Sequence, residues 1–224
     1  MNQLTKLEIF QQLLHKKSGL LRCIFTTVIF QLSVTSLVAA FIHKKPELLP
    51  KHLNIYWVLG LLFSCTVLVL GMIIPQNLSF YKRFGIFIIF SIVQGALLGI
   101  LTKYLPSEII LSAVVSTAAI FSTLLIIGAI IVYFGIDLSW LGIFLLTALL
   151  GLVIKQIVGF FIPSSNTSRH FTTLFALVIF SLYILYDTNN ILLKYQNTDI
   201  DCIRGSLDYY LDIINLFVHS IDSK

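Results

Sequence analysis

Charge is what this sequence has least of. Asp, Glu, Lys and Arg make up only 11% of its 224 residues, where a soluble domain carries roughly 25%. A chain this poor in charge cannot cover its surface for water. Since 58% of its residues are hydrophobic, lipid is the solvent it calls for. No low-complexity tail or polar linker divides the chain, so a single domain is expected. A basic run interleaved with aromatics is also missing, which removes a nucleic-acid site. The net charge of +5 is spread over the polar ends of apolar runs, where it suits anionic lipid headgroups. Cysteine is scarce as well. Cys23, Cys65 and Cys202 lie far apart without metal-ligand spacing, and a thiol within an apolar run behaves as a small hydrophobe. No disulfide, zinc site or cysteine nucleophile is expected.

Long apolar runs are what the sequence does have. A spanning helix needs about 20 predominantly apolar residues, and such segments fall near 20–42, 55–74, 84–102, 109–134, 138–162 and 171–193. A seventh, near 203–221, is more polar on one face. The expected fold is therefore all-α, with seven transmembrane helices in one domain over residues 20–224. Pro46, Pro50, Pro75, Pro106 and Pro163 punctuate the breaks, and the shortest break, Gly135 to Asp137, forces its flanking helices into an antiparallel hairpin. Gly95 and Gly99 form a small-xxx-small pair suited to close helix packing.

Residues 1–19 form a separate N-terminal segment in this reading, cytoplasmic or interfacial. Leu4, Leu7, Phe10 and Leu14 recur there at helical spacing, which fits either a short interfacial helix or a frayed polar terminus. The apolar run that follows is about 23 residues long, beyond the usual 7–15 of a cleaved signal, so it reads as a retained anchor. With the N-terminus inside, the cytoplasmic side collects Lys6, Lys16, Lys17, Arg22, Lys82, Arg83, Lys194 and Arg204, a slight bias in favour of that orientation.

Acid placement narrows the search for chemistry, because an ionised carboxylate in hydrocarbon costs roughly 2.5–3.5 kcal/mol on insertion scales. Seven of the ten acids fall in or beside polar breaks, and only Asp187, Asp208 and Asp212 sit within expected spans. The last two spans form a hairpin turning near Gln196–Asp201. Asp187 and Asp212 lie at similar distances from that turn in sequence, hence at a similar depth on antiparallel helices. On the last span Asp201, Asp208, Asp212, Asn215 and His219 follow one helical stripe, and Tyr183, Asp187, Asn190 and Lys194 make a shorter stripe on its neighbour. Two such stripes suggest an ion or proton path. A purely helix-gluing role explains one buried carboxylate better than three.

These residues also carry a likeness. The stretch LVIFSLYILYDTNNIL (177–192) resembles the sixth helix of the Bax inhibitor-1 (TMBIM) family, and DCIRGSLDYYLDIINLFVHSI (201–221) resembles its last. QGALLG (94–99), STAAIF (116–121) and DLSWLG (137–142) are weaker echoes. The resemblance implies six helices around a central C-terminal seventh, and a pH-sensitive calcium-permeable leak. It implies Asp187 and Asp212 as the pH sensor and transient Ca²⁺ ligands, with Asp201 lining the path. Asp208, Asn215, His219, Tyr183 and Asn190 are secondary path residues. The chain departs from the family at Asp208, where a small or neutral residue is usual. It also has no Lys or Arg between Ile55 and Ile74, where some bacterial members hold a basic latch; Lys194 and Arg204 are the substitutes available here.

No catalytic residue or resident cofactor is expected, Ca²⁺ being cargo. A presenilin-type protease is disfavoured, because Asp212 sits in YYLD rather than Gly-x-Gly-Asp and no Pro-Ala-Leu follows. The alternative to a leak is a non-conducting regulator of a membrane-bound ATP-dependent protease, a role the resemblance implies for some bacterial members. Compactness favours a bacterial inner membrane, with an ER or Golgi membrane if the source is eukaryotic or viral. The sequence specifies no oligomeric state, and a monomer is compatible with it.

Overall fold

The computed structural model describes residues 5–45, 79–161 and 166–222, and the second expected span, near 55–74, lies outside them. The described residues form six α-helices: α1 (Lys6–Lys44), α2 (Phe80–Thr102), α3 (Ser107–Tyr133), α4 (Leu141–Phe161), α5 (Asn166–Leu193) and α6 (Asp199–Asp222). No strand occurs among them. In hydrocarbon each backbone polar group needs an internal partner, and a continuous helix provides one within its own segment.

Local chemistry marks the helix ends. Thr5 and Glu8 form a reciprocal capping box, with Thr5 N donating to Glu8 Oε2 at 2.7 Å and Glu8 N to Thr5 Oγ1 at 3.4 Å. Helix α1 therefore starts at Lys6 and runs unbroken for 39 residues. The N-terminal stripe and the first expected span are one helix, with no boundary at residue 19. Helix α3 ends where Gly135 takes a left-handed φ of 79°, and Ile136 N reaches back to Ile131 O at 3.1 Å. That is a glycine C-cap, and it turns the chain toward α4.

Of the six expected spans that fall on described residues, one is not apolar enough to cross a membrane. Among the described residues five helices, α1 to α5, are long and apolar enough to cross a membrane. Helix α6 is 24 residues long yet is not one of them, because Asp199, Asp201, Arg204, Asp208 and Asp212 lower its hydropathy. Its apolar residues are mostly buried by protein, including Ile203, Leu207, Tyr209, Tyr210, Ile214 and Leu216. Helices α1–α5 instead present large apolar side chains outward, as at Leu37 (72% exposed) and Ile143 (81%). Such a surface is suited to lipid, and the protein is a multi-pass, all-α integral membrane protein.

The chain divides into two compact units. The first comprises Met1–Leu20, Ser107–Asn197 and Leu211–Lys224, and the second Leu21–Pro106 and Thr198–Tyr210. In the first, α3 packs along α5 more extensively than α4 does. A Cβ on Gly128 would lie 2.8 Å from Thr188 Cβ, so α3 approaches α5 as closely as only a glycine permits. Leu141, Leu145, Ile179, Phe180, Ile184 and Leu216 belong to the core of this unit.

In the second unit α1 and α2 pack through the two expected small residues. A Cβ on Gly95 would meet Thr35 O at 2.7 Å, and one on Gly99 would meet Ile42 Cβ at 2.8 Å. The same unit corrects the reading of the cysteines. Cys23 of α1 and Cys202 of α6 form a disulfide, with Cα atoms 5.9 Å apart and 179 residues between them. Sequence spacing says nothing about a pair that tertiary packing alone brings together.

Candidate functional site

In the first unit the two acids expected to act together are both withdrawn from the surface. Asp187 is 8% exposed and Asp212 4%. Asp187 lies on α5 in a run from Ile184 to Leu192 where every residue is at least half-buried, and Asp212 lies on α6 one residue from the half-buried Leu211. Tyr183 is half-buried one turn before Asp187 on the same helix.

His219, from the far end of the α6 stripe, is buried at 6% exposure. Its imidazole stacks on Phe180 with ring centres 5.7 Å apart, and Phe180 stacks on Tyr183 at 6.3 Å. One aromatic column therefore links a titratable ring to the phenol of Tyr183. Asn215 is half-buried and donates to the Leu211 carbonyl of its own helix at 2.8 Å. Asn190 is buried, and its Oδ1 finds no hydrogen-bond donor among the described residues.

The other expected path residues sit in the second unit. Asp208 is half-buried. Asp201 takes part in the N-cap of α6: its N–H donates to Thr198 Oγ1 at 3.1 Å, and the Thr198 hydroxyl donates to Asp201 Oδ2 at 2.9 Å. Its carboxylate thereby starts the helix. The two substitute latch residues, Lys194 and Arg204, are exposed.

Several buried polar residues escaped the sequence reading. Asn189 is fully buried and ties α5 to the α3–α4 loop. Its Oδ1 accepts from Leu138 N at 3.0 Å and its Nδ2 donates to Ile136 O at 2.8 Å. Lys17, which resembles a polar-end cation in sequence, is buried and donates to the Tyr195 carbonyl. Arg83 is also buried, at 2% exposure. The signal available for Asn189 was its place in the run Asp187-Thr-Asn-Asn190; periodicity put Asn190 on the stripe and left its neighbour off it.

Outside the spans, Asp137 caps the turn into α4. It accepts from Ser139 N at 2.9 Å and from the Ser139 hydroxyl, and these bonds hold its carboxyl below the ordinary value. Among the described residues no three His, Cys, Asp or Glu side chains gather as a metal site.

Comparison with known proteins agrees with this architecture. The model of the family described as "Inhibitor of apoptosis-promoting Bax1" matches residues 17–221. Bax inhibitor 1 of Schizosaccharomyces pombe is 31% identical over 202 residues, covering 90% of this chain and 74% of that protein. Protein LIFEGUARD 1 of Arabidopsis thaliana is 30% identical over 207 residues, with 88% and 85% covered. An uncharacterised membrane protein of Streptococcus pyogenes is 32% identical over 138 residues, with 59% and 58% covered. A family match over most of the chain, on a bundle of apolar helices with buried acids at 187 and 212, means that the protein belongs to the Bax inhibitor-1 family.

Proposed function

We propose that this protein is a pH-sensitive, calcium-permeable leak gated by Asp187 and Asp212, with its N-terminus cytoplasmic and without enzymatic activity. The observation that carries the reading is the burial of two acids, Asp187 and Asp212, within one compact unit of an apolar helix bundle. Two carboxylates close together in a poor solvent cannot both be ionised cheaply, so they share one proton. The shared proton holds α5 and α6 together and keeps the path shut. Its loss leaves two like charges that push the helices apart and attract a hard cation to their oxygens.

Two carboxylates offer fewer oxygens than the six to eight that a bound Ca²⁺ takes. The ion is therefore cargo, held briefly and released. Within the first unit Asn190, Asn215 and His219 extend the polar surface that a partly hydrated cation needs. The names of the relatives concern inhibition of Bax. For this chain, any effect on cell death follows from altered ion content across its membrane.

Calcium entry into dye-loaded liposomes, followed between about pH 5 and pH 8, tests the reading. Wild-type flux should climb with pH by up to about tenfold per unit below its midpoint. Asp187→Asn and Asp212→Asn should each lose that dependence. Unchanged pH response in both variants would sink the gating mechanism. No flux at any pH, from protein shown to be folded, would favour a non-conducting regulator of a membrane-bound protease.

A further inference from the structure

The disulfide between α1 and α6 joins residues 179 positions apart in sequence. Cys202 is in the first turns of α6, after the Thr198 cap, and is 2% exposed. Cys23 on α1 is half-buried. Exposed Arg22 and Arg204 flank the pair in sequence, with exposed Asp199 and half-buried Asp201 on the other side of Cys202. Cys23 is thus the more accessible member of the pair, and charged side chains bracket Cys202 along the first turns of α6.

From that point the two helices stay in contact. Ser206 Oγ lies 3.4 Å from Ile24 O, and Phe25 stacks on Tyr209 at 5.9 Å. Farther along, Thr35 Oγ1 and Tyr210 OH are 2.6 Å apart. The covalent bond is thus the first element of an otherwise non-covalent interface, and it anchors the half of α6 that carries Asp208.

We infer that Cys23 and Cys202 are a reversible redox modification site that clasps α6 to α1 and slows the leak when oxidised. Its effect on flux rests on the leak reading above. With the N-terminus inside, the pair faces a reducing compartment, where disulfides are transient and regulatory. The oxidant class is a low-molecular-weight disulfide. The more accessible Cys23 thiolate attacks one of its sulfurs and releases one thiol; Cys202 then attacks the mixed disulfide, forms the Cys23–Cys202 bond and releases the second. Each cysteine gives up a proton and each leaving thiolate takes one. Two equivalents of the same thiol reverse the reaction.

The test uses the full chain in lipid nanodiscs and in liposomes, treated with oxidised glutathione or with dithiothreitol. After denaturation and alkylation, mass spectrometry should count one free thiol, Cys65, in the oxidised protein and all three cysteines in the reduced one. Amide hydrogen exchange across Thr198–Tyr210 should be on the order of tenfold faster after reduction, and calcium flux should rise with it. Cys202→Ser and Cys23→Ser should show the fast exchange in both conditions. Three free thiols after the oxidant, or exchange indifferent to redox state, would overturn the inference, as would a leak that is present but equal in both states. Redox-dependent exchange without any leak would remove the leak reading and leave the clasp standing.

Discussion

In the second unit the polar contacts that join α1, α2 and α6 are made by neutral groups. Ser91 donates to Gln31 Oε1 at 2.5 Å, Thr35 Oγ1 donates to Ser91 O at 3.2 Å, and Tyr210 meets the same Thr35 oxygen. Phe87 and Phe90 close over Tyr210 edge-on, so little else can enter. In the first unit the buried polar groups include ionisable ones: Asp187, Asp212 and His219. Neutral polar atoms in a dry interior make stable, geometry-specific contacts with no dependence on pH. Ionisable ones make the interior responsive, at a desolvation cost. Under the proposed leak the difference is a division of labour, in which the neutral contacts hold helices together and the buried acids of the first unit are the groups that protonation would act on. The second unit also holds charged groups, buried Arg83 near the start of α2 and half-buried Asp201 and Asp208 on α6.

The comparison can be broken most severely at Gly95. Its added Cβ would strike a backbone carbonyl and a Cβ atom of α1, neither of which can swing away. Gly95→Ala should therefore cost about 2–3 kcal/mol, read as a large drop in apparent Tm in detergent. Flux from the surviving folded fraction should keep its pH dependence. Next comes Asn189→Ala, which removes both loop bonds in the first unit and leaves Leu138 N without its acceptor. A loss of about 1–3 kcal/mol is expected, and faster hydrogen exchange in residues 136–138 would identify the released loop. Tyr210→Phe should cost about 1 kcal/mol and leave the flux midpoint in pH where it was; a shifted midpoint would mean that the second unit also senses protons.

The smallest effect belongs to Asp137. A carboxyl held below its ordinary value contributes stability that is present at neutral pH and lost as the pH falls through that lowered value. Asp137→Asn keeps the acceptor oxygen but not the charge. It should therefore differ slightly from wild type in melts at neutral pH and match it in acid. An equal difference at both ends would show that geometry, not ionisation, sets the turn.

Much of this was legible beforehand because its cause is local. Gly95 and Gly99 were recognisable as a packing pair, since small residues four apart face one way on a helix. Asp187 and Asp212 stood out because an acid inside an apolar run demands an explanation. Lys17 and Arg83 were not legible as buried, since a cation near a helix end resembles a solvated one until its neighbours are known. Asp201 fell on the α6 stripe by periodicity, but its hydrogen bonds to Thr198 make it part of a cap. Helix α6 has spanning length without spanning hydropathy, because its apolar residues are buried by protein rather than lipid.

By itself the sequence determined the solvent, the helical class, most helix positions and which two acids are withdrawn into helices. These follow from hydropathy and helical rise, which depend only on residues near one another in the chain. Tertiary structure alone decided that Cys23 bonds Cys202 and that Asn189 holds a loop rather than a helix. It alone stacked His219 of α6 on Phe180 of α5. Each of those outcomes joins elements far apart in sequence, and their meeting depends on how whole helices pack, which no local spacing encodes.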